Sequence, residues 1–176
     1  MNAERVYAFA DSVAEDGAAT EQHVAQLETW VTFRIAGEVF GFAVQSIQEI
    51  VRVGDIVRVP HAPYAVRGIC NVRGRVVPVM DLRIRLGLAP ADPGPHSRIL
   101  IAPIRGRLLG LLVDSVEQVE RIDRLRVTAP PDDVMTEHSE YINGVYQNEA
   151  TFLILLDAER VLLIPDGLEA RNAETI

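Results

Sequence analysis

Five arginines lie close together in the middle of the chain, and their side chains are the strongest candidates for a binding role. They are Arg67, Arg73, Arg75, Arg83 and Arg85, in a chain whose 17 basic residues are all arginine. A guanidinium group binds carboxylates and phosphates through paired hydrogen bonds, so the candidate partners are an acidic protein surface and a nucleic acid.

Charge and aromatic content favour the acidic protein surface. The chain carries a net charge of −8, and only Tyr64 supplies an aromatic ring near the arginines, whereas nucleic-acid binding needs a basic field and stacking groups. Simple solvation of one face also accounts for most of these arginines, though least well for Arg73.

The sequence lacks the residue patterns typical of catalysis and metal binding. It contains no G-x-S-x-G motif, no Walker A loop, no H-E-x-x-H motif and no cysteine pair. The histidines are scattered: His23, His61, His96 and His138. Acids do cluster in one proline-rich stretch, at Asp132, Asp133, Glu137 and Glu140, but this is more typical of a solvated loop. We expect no enzymatic activity, no cofactor and no metal site.

The composition is that of a globular protein from a reducing compartment. Hydrophobic residues make up 48% of the 176 residues, enough for a sizeable core. No apolar run reaches the roughly 18 residues that a membrane-spanning helix needs, and the N-terminus lacks the pattern of a secretory signal. The single cysteine, Cys70, lies in an apolar stretch, and we expect it in the core. We therefore expect a cytoplasmic protein that does not insert into a membrane.

A predicted hairpin positions Arg73. Residues 66–72 and 75–80 are predicted to be two strands joined by Arg73-Gly74, because glycine readily takes the positive φ of a tight turn. Asp81 is then predicted to cap a short helix that Gly87 ends. The arginine would therefore lie at the tip of a hairpin.

The two halves of the chain resemble each other. Residues 37–41 (GEVFG) align with residues 106–110 (GRLLG) at an offset of 69, and residues 76–81 align with residues 152–157 at an offset of 76. A duplicated unit of short strands with turn glycines predicts two similar small β-barrels. Arg73-Gly74 aligns with Glu149-Ala150, so the comparison assigns this arginine turn to the first barrel only.

One repeated segment has apolar residues three apart. Val44, Ile47 and Ile50 align with Val113, Val116 and Val119. Each copy is compatible with a helical turn or with the start of a bent strand, and the spacing does not decide between them. Packing in the core accounts for such a stripe as readily as partner binding does.

The predicted organisation has three parts. Residues 1–28 form an acidic extension in which residues 3–14 are compatible with a short amphipathic helix, and residues 166–176 form a C-terminal tail. Residues 29–165 form the folded part, with halves at about 29–88 and 98–165 on either side of a proline-rich stretch. An exchange of strands between the halves is left open.

Several motifs resemble one known family. The segment VRGICNVRGRVVPVMDLR, residues 66–83, is similar to the signature of the CheW-like family, the coupling proteins of bacterial chemotaxis. Further similarities are Phe40-Gly41 with residues 48–50 (QEI), Leu109-Gly110 with Val113-Asp114, and residues 140–144 (EYING). The resemblance covers about residues 29–165.

The resemblance implies an all-β fold with short helices, in which two SH3-like five-stranded barrels pack on each other. It also implies a non-enzymatic adaptor that links the cytoplasmic tip of a chemoreceptor to the regulatory domain of a CheA-type histidine kinase in receptor arrays. Within the family's motifs, Arg73 and Glu49 correspond to functionally important residues, and an ion pair between them is physically plausible.

The resemblance further implies an apolar receptor-binding groove between the barrels, which maps onto Ile47, Ile50, Val116 and Val119. The motif glycines Gly68 and Gly74 complete the candidate partner-binding set. Two alternatives remain: a scaffold of a non-flagellar chemosensory pathway, such as pilus-based motility, and a small-barrel module that binds a ligand or nucleic acid.

Overall fold

The computed structural model describes residues 26–130, 139–147 and 151–163. Several predictions lie outside the described residues. They concern residues 1–25 of the acidic extension, His23, the loop residues Asp132, Asp133, Glu137 and His138, the Glu149-Ala150 turn and the tail over residues 166–176.

Short strands dominate the described part of the chain, and helices are few. The strands are β1 (Leu27–Ile35), β2 (Glu38–Ala43), β3 (Glu49–Arg52), β4 (Val66–Val72), β5 (Arg75–Asp81), β6 (Arg98–Ile104), β7 (Arg107–Val113), β8 (Ser115–Asp123), β9 (Val127–Thr128), β10 (Ile142–Gln147) and β11 (Phe152–Leu156). The α-helices are α1 (Leu82–Arg85) and α2 (Ala158–Leu162). Neither the length nor the apolar character of any helix in the described ranges suffices to span a bilayer.

The strands form two sheets, and the predicted all-β fold with short helices is confirmed. One sheet has the order β3-β6-β7-β5-β4, and the other has the order β8-β1-β2-β11-β10-β9. The second sheet gains its sixth member from β9, which is only two residues long. Each sheet combines strands from both halves of the sequence. The β1-β2 hairpin joins the strands of the second half, and the β6-β7 hairpin joins those of the first.

The segment after β3 closes the first barrel by pairing with β4. Val57 exchanges two backbone hydrogen bonds with Ile69, at 2.8 and 2.9 Å. In the second barrel the corresponding closure is made by β9, which pairs with β10 at Thr128 and Val145. In both barrels the closing segment follows the strand at the opposite edge of the sheet, which is β3 in the first barrel and β8 in the second.

Buried side chains of the described residues form three clusters. The interior of the first barrel contains Cys70 and Val77 among others, and the interior of the second contains Trp30 and Ile122. The largest cluster draws on both sheets, including Phe33 and Phe42 from one sheet and Leu100 from the other. This central core holds the two barrels against each other.

The repeated segment with apolar residues three apart differs between its copies. In the first copy, residues Val44–Ser46 form a 3₁₀ turn and β3 begins at Glu49. In the second copy, β8 begins directly at Ser115. Both structures left open by the spacing therefore occur, one in each repeat.

Candidate functional site

Arg73 lies at the tip of the β4-β5 hairpin, as the sequence predicts. Its φ is 50° and that of Gly74 is 83°, the pair of positive values that a type I′ turn requires. The side chain of Asn71 braces the turn, since its Oδ1 accepts a hydrogen bond of 2.8 Å from the backbone N–H of Gly74. The backbone that presents Arg73 is therefore fixed from within the hairpin.

Arg73 forms an ion pair with Glu49, the first residue of β3. One guanidinium nitrogen lies 3.1 Å from Glu49 Oε2. The Arg73 side chain is 82% exposed and the Glu49 side chain is 19% exposed. An ion pair with one partner so exposed contributes little to stability, typically about 0 to 1 kcal/mol. The contact orients the arginine and leaves most of its guanidinium group open to a partner.

A cavity of about 350 Å³ adjoins this ion pair, between β3 and β4. Arg73 and Arg52 line it together with Asp55, and Ile99 and Cys70 form its apolar wall. Cys70 is buried, and burial raises the pKa of its thiol, so the side chain behaves as a packing group as expected.

Gly68 is required by a close backbone contact. Its φ is +153°, and a Cβ atom at this position would lie 2.3 Å from the carbonyl oxygen of Val57. No other residue fits at this point without breaking the bridge that closes the first barrel. The candidate site residue Gly68 therefore has a clear structural role.

The four predicted groove residues all border the central core. Ile47 and Val116 are partly buried and pack against it. Ile50 lies opposite Leu100 and is 42% exposed, while Val119 lies opposite Val31 and is 62% exposed. Because Leu100 and Val31 are core members and paired residues share a face, Ile50 and Val119 form exposed edges of that core.

Arg83 serves the fold. Its Nε and Nη2 atoms donate hydrogen bonds of 2.8 and 2.5 Å to the two carboxylate oxygens of Asp114, which raises the pKa of Arg83. Burial tends to raise the pKa of Asp114, but the hydrogen bonds from Arg83 and from the backbone N–H of Ala36, together with the arginine charge, hold it below its usual value.

Arg67 and Arg85 also have partners within the protein. Arg67 donates to Asp81 at 3.0 Å and to Asp92 at 2.8 Å. Arg85 donates to the carbonyl oxygens of Val161 and Leu163, at 2.8 and 2.6 Å, and lies over the ring of Tyr141. The sequence allowed the interpretation that most of the five arginines only solvate one face of the protein. This interpretation is wrong for Arg67, Arg83 and Arg85.

A second Arg-Gly turn was missed by the comparison of repeats. Arg105 and Gly106 join β6 to β7 with φ values of 48° and 78°, close to those of Arg73 and Gly74. Arg105 also has a glutamate neighbour, Glu159, with 3.7 Å between Nε and Oε1. The signal was an RG dipeptide between two apolar runs, and the alignment hid it because this turn corresponds to Ala36-Gly37. Because β6 and β7 belong to the sheet of the first barrel, both Arg-Gly turns lie in that barrel. The assignment of the Arg73-Gly74 turn to the first barrel only stays a prediction, since Glu149-Ala150 lies outside the described residues.

The described ranges contain no cluster of three or more His, Cys, Asp or Glu residues placed to hold a metal ion. A cavity of about 460 Å³ lies beside α2, lined by Arg85, Glu140, Tyr141, Arg160 and Leu163. Its two arginines already donate to backbone carbonyl groups. Among the described residues, the exposed Arg73 tip and the apolar edge of the central core are therefore the candidates for partner binding.

Comparison with known proteins gives a consistent result. The family model of the CheW-like domain matches residues 29–164. A probable chemotaxis protein CheW from Rhizobium etli is 33% identical over 145 residues, covering 82% of this chain and 87% of its own length. Protein PilI from Pseudomonas aeruginosa is 26% identical over 140 residues, covering 78% of each chain.

A solved structure has a similar fold. The crystal structure of the scaffolding protein TtCheW from Thermoanaerobacter tengcongensis superposes with a TM-score of 0.71 at 30% sequence identity. The similarity covers 78% of this chain and 89% of that one.

Proposed function

Because the chain belongs to the CheW-like domain family, we propose that it couples the cytoplasmic tips of chemoreceptors to a CheA-type histidine kinase through protein-protein contacts. Family members are scaffold proteins without catalytic activity, and this chain is such a scaffold. Its proposed location is the cytoplasm, at receptor arrays.

The observation that carries the proposal is the presentation of Arg73. The type I′ turn and Asn71 fix the backbone of the tip, Glu49 orients the guanidinium group, and 82% of the side chain is exposed. A preorganised arginine loses less freedom on binding than a mobile one, and its fork suits a carboxylate of the partner. This favours an acidic protein surface as the partner of the tip.

The edge of the central core supports a separate receptor contact. Ile50 and Val119 are exposed apolar residues above a packed core, and an amphipathic helix binds such a strip through anchors spaced along one face. The receptor helix would then contact the two barrels at once. Ile47 and Val116, which pack against the central core, would lie beneath the exposed pair of Ile50 and Val119.

A scaffold of a pilus-based pathway is the second candidate, and the similarity to PilI favours it. The physical role of Arg73 is the same in both cases, and only the receptor and kinase differ. The nucleic-acid alternative loses support because Arg67, Arg83 and Arg85 are bound within the protein.

Arg73→Glu tests the proposal, with Arg105→Glu as its matched control. Both arginines occupy the same position of a type I′ turn, both are exposed and both neighbour a glutamate. We expect Arg73→Glu to weaken co-sedimentation with receptor tips and a CheA-type kinase from the same organism by tenfold or more, about 1.4 kcal/mol, and Arg105→Glu to assemble normally.

Glu49→Gln separates direct from indirect action of the arginine. If Arg73 contacts the partner itself, this variant keeps the guanidinium group and loses only its orientation, so assembly weakens less than with Arg73→Glu. Normal assembly of Arg73→Glu, with its fold confirmed by circular dichroism, would contradict the assignment of the tip.

A further inference from the structure

Two arginines lie directly opposite each other on neighbouring strands of the first barrel. Arg52 ends β3 and pairs with Arg98, the first residue of β6. Residues paired in this way have Cβ atoms about 4.5 to 5.5 Å apart, and like charges at such positions repel each other. The pair therefore lowers the stability of the protein alone, and an anion bound between the two guanidinium groups would remove the repulsion.

The two arginines lie on the same face of the sheet as the exposed edge of the central core. Side chains alternate along a strand, so Val51 packs against the interior of the first barrel while Leu100 belongs to the central core. The arginine pair is two positions along the ladder from the pair of Ile50 and Leu100. Ile50, which is 42% exposed, therefore has Arg52 and Arg98 beside it on its own face.

Both guanidinium groups keep donors for a partner. Arg98 uses its Nη1 atom to donate to the carbonyl oxygens of Pro95 and Ser97, at 3.2 and 2.7 Å. Arg52 is exposed and also borders the cavity beside Arg73. No carboxylate of the described residues forms an ion pair with Arg52 or Arg98. Because each guanidinium group carries five N–H donors, the pair can hold a carboxylate through several charge-assisted hydrogen bonds.

The second barrel has one of these two arginines. At the offset of 69, Arg121 on β8 is equivalent to Arg52. Its partner on β1 is Thr29, which is equivalent to Arg98. Arg121 is exposed, lies two positions after Val119 and has no ion pair with a described carboxylate. Each exposed apolar residue of the edge therefore has an arginine beside it, and the first barrel has two.

We propose, on the basis of the proposed function, that Arg52 and Arg98 bind a carboxylate of the receptor helix next to the apolar side chain that contacts Ile50. Residues three or four apart on a helix have Cβ atoms about 5 to 6 Å apart, close to the spacing of about 7 Å between alternate residues of a strand. One helix can therefore place an apolar side chain on Ile50 and an acidic side chain between the arginines. The preferred partner is a helix with an acidic residue three or four positions from an apolar anchor, and Arg121 favours a second acid near Val119.

Arg52→Gln tests this site, with Arg105→Gln as its control. Arg105 is also exposed, but its turn follows Ile104, which is six residues from Arg98 along β6, or about 20 Å. The full-length proteins are titrated with receptor cytoplasmic tips from the same organism by isothermal titration calorimetry. We expect Arg52→Gln to weaken binding about tenfold at low salt, because it removes charge-assisted hydrogen bonds, and Arg105→Gln to bind like the natural protein.

The acidic residue of the partner is found by neutralising each acid of the receptor tip in turn. One of these changes should weaken binding to the natural protein as much as Arg52→Gln does. The same change should have little further effect on binding to Arg52→Gln, since two groups that contact each other are not additive. The difference between the natural protein and Arg52→Gln should also become smaller at high salt, because salt screens the charges.

Unfolding of the protein alone separates a binding role of Arg52 from a structural one. Because Arg52 and Arg98 repel each other, Arg52→Gln should raise the urea concentration at the midpoint of unfolding, whereas replacing an arginine that holds the fold together would lower it. A lowered midpoint, or equal losses of affinity in Arg52→Gln and Arg105→Gln, would overturn the carboxylate site and leave the coupling function standing. Failure of the natural protein to bind any receptor tip would overturn both.

Discussion

Neutralising Asp114 should destabilise the protein, because this carboxylate joins three parts of the fold. It accepts two hydrogen bonds from Arg83 and one of 2.8 Å from the backbone N–H of Ala36. Arg83 belongs to α1, Ala36 to the β1-β2 turn, and Asp114 lies between β7 and β8. Asp114→Asn keeps the size of the side chain and removes its charge, so Arg83 loses its counter-ion.

The exposure of the two side chains determines how much stability the Asp114→Asn variant should lose. The side chains of Arg83 and Asp114 are 20% and 34% exposed, between a surface pair, worth about 0 to 1 kcal/mol, and a buried pair, whose breaking costs about 3 to 5 kcal/mol. Because solvent screens the partly exposed carboxylate, we expect a loss in the free energy of unfolding between these two ranges, at about 2 kcal/mol. In a domain of this size that corresponds to a fall in Tm of about 4 to 8 °C.

The matched control is Asp92→Asn. Asp92 also pairs with an arginine, Arg67, at 2.8 Å, but its side chain is 98% exposed. We expect no measurable loss of stability from this change. Urea unfolding followed by the fluorescence of Trp30, which is buried in the second barrel, measures both variants on the same scale.

The pH dependence of the free energy of unfolding tests whether the negative charge of Asp114 is the cause of the loss. The pKa of Asp114 is lowered in the folded state, so its contribution is complete above the unfolded value of about 3.9 and is lost as the pH falls through the folded pKa. The free-energy difference between the natural protein and Asp114→Asn should therefore be constant from about pH 7 to about pH 5 and shrink below about pH 4. A loss no larger than that of Asp92→Asn, or a difference unchanged in acid, would refute the reasoning.

Two further measurements test the closure of the first barrel and its interior. Gly68→Ala should cost about 3 kcal/mol or more in urea unfolding, because it combines a positive φ with a clash against backbone. Gly144→Ala should cost less, since its nearest obstacle is the side chain of Val127, and equal losses would contradict this account. Burial raises the pKa of the Cys70 thiol, so we expect this thiol to react with a disulfide reagent only when the protein unfolds. The rate of the reaction should then rise with urea in step with the unfolded fraction. Fast reaction without urea would show that the thiol is accessible in the folded protein.

The sequence predicts the local features of the site correctly because their causes are local. Gly74 takes the positive φ of its turn, Asp81 accepts a hydrogen bond of 3.0 Å from the backbone N–H of Arg83, and Gly87 follows the helix with a φ of 73°. The predicted pair of Arg73 and Glu49 also forms. Each depends on a few neighbouring residues or on a motif that the family shares.

Strand exchange and the roles of the other arginines depend on contacts between distant residues. A repeat has the same offsets whether its hairpins pair within their own half or with the other half, so the pattern of apolar residues leaves the topology open. Likewise, Arg83 meets Asp114 and Arg85 meets Val161 only after α1 packs against the second half. A run of arginines in the sequence therefore overstates the basic surface that remains after folding.

Equivalent strand positions of the two barrels can be compared to find where the duplicated units share the same contacts and where their surfaces differ. Ile50 pairs with Leu100 as Val119 pairs with Val31, so the two exposed edges of the central core derive from one ancestral contact. At the equivalent positions of Arg107 and Glu38 the charge is reversed while the strand register is kept. We expect that a change in the sign of a surface charge at an equivalent backbone position alters which partners a barrel attracts without disturbing its packing. We therefore expect partner choice to depend on surface positions where the two copies differ, in addition to the exposed apolar edges at Ile50 and Val119, where they agree.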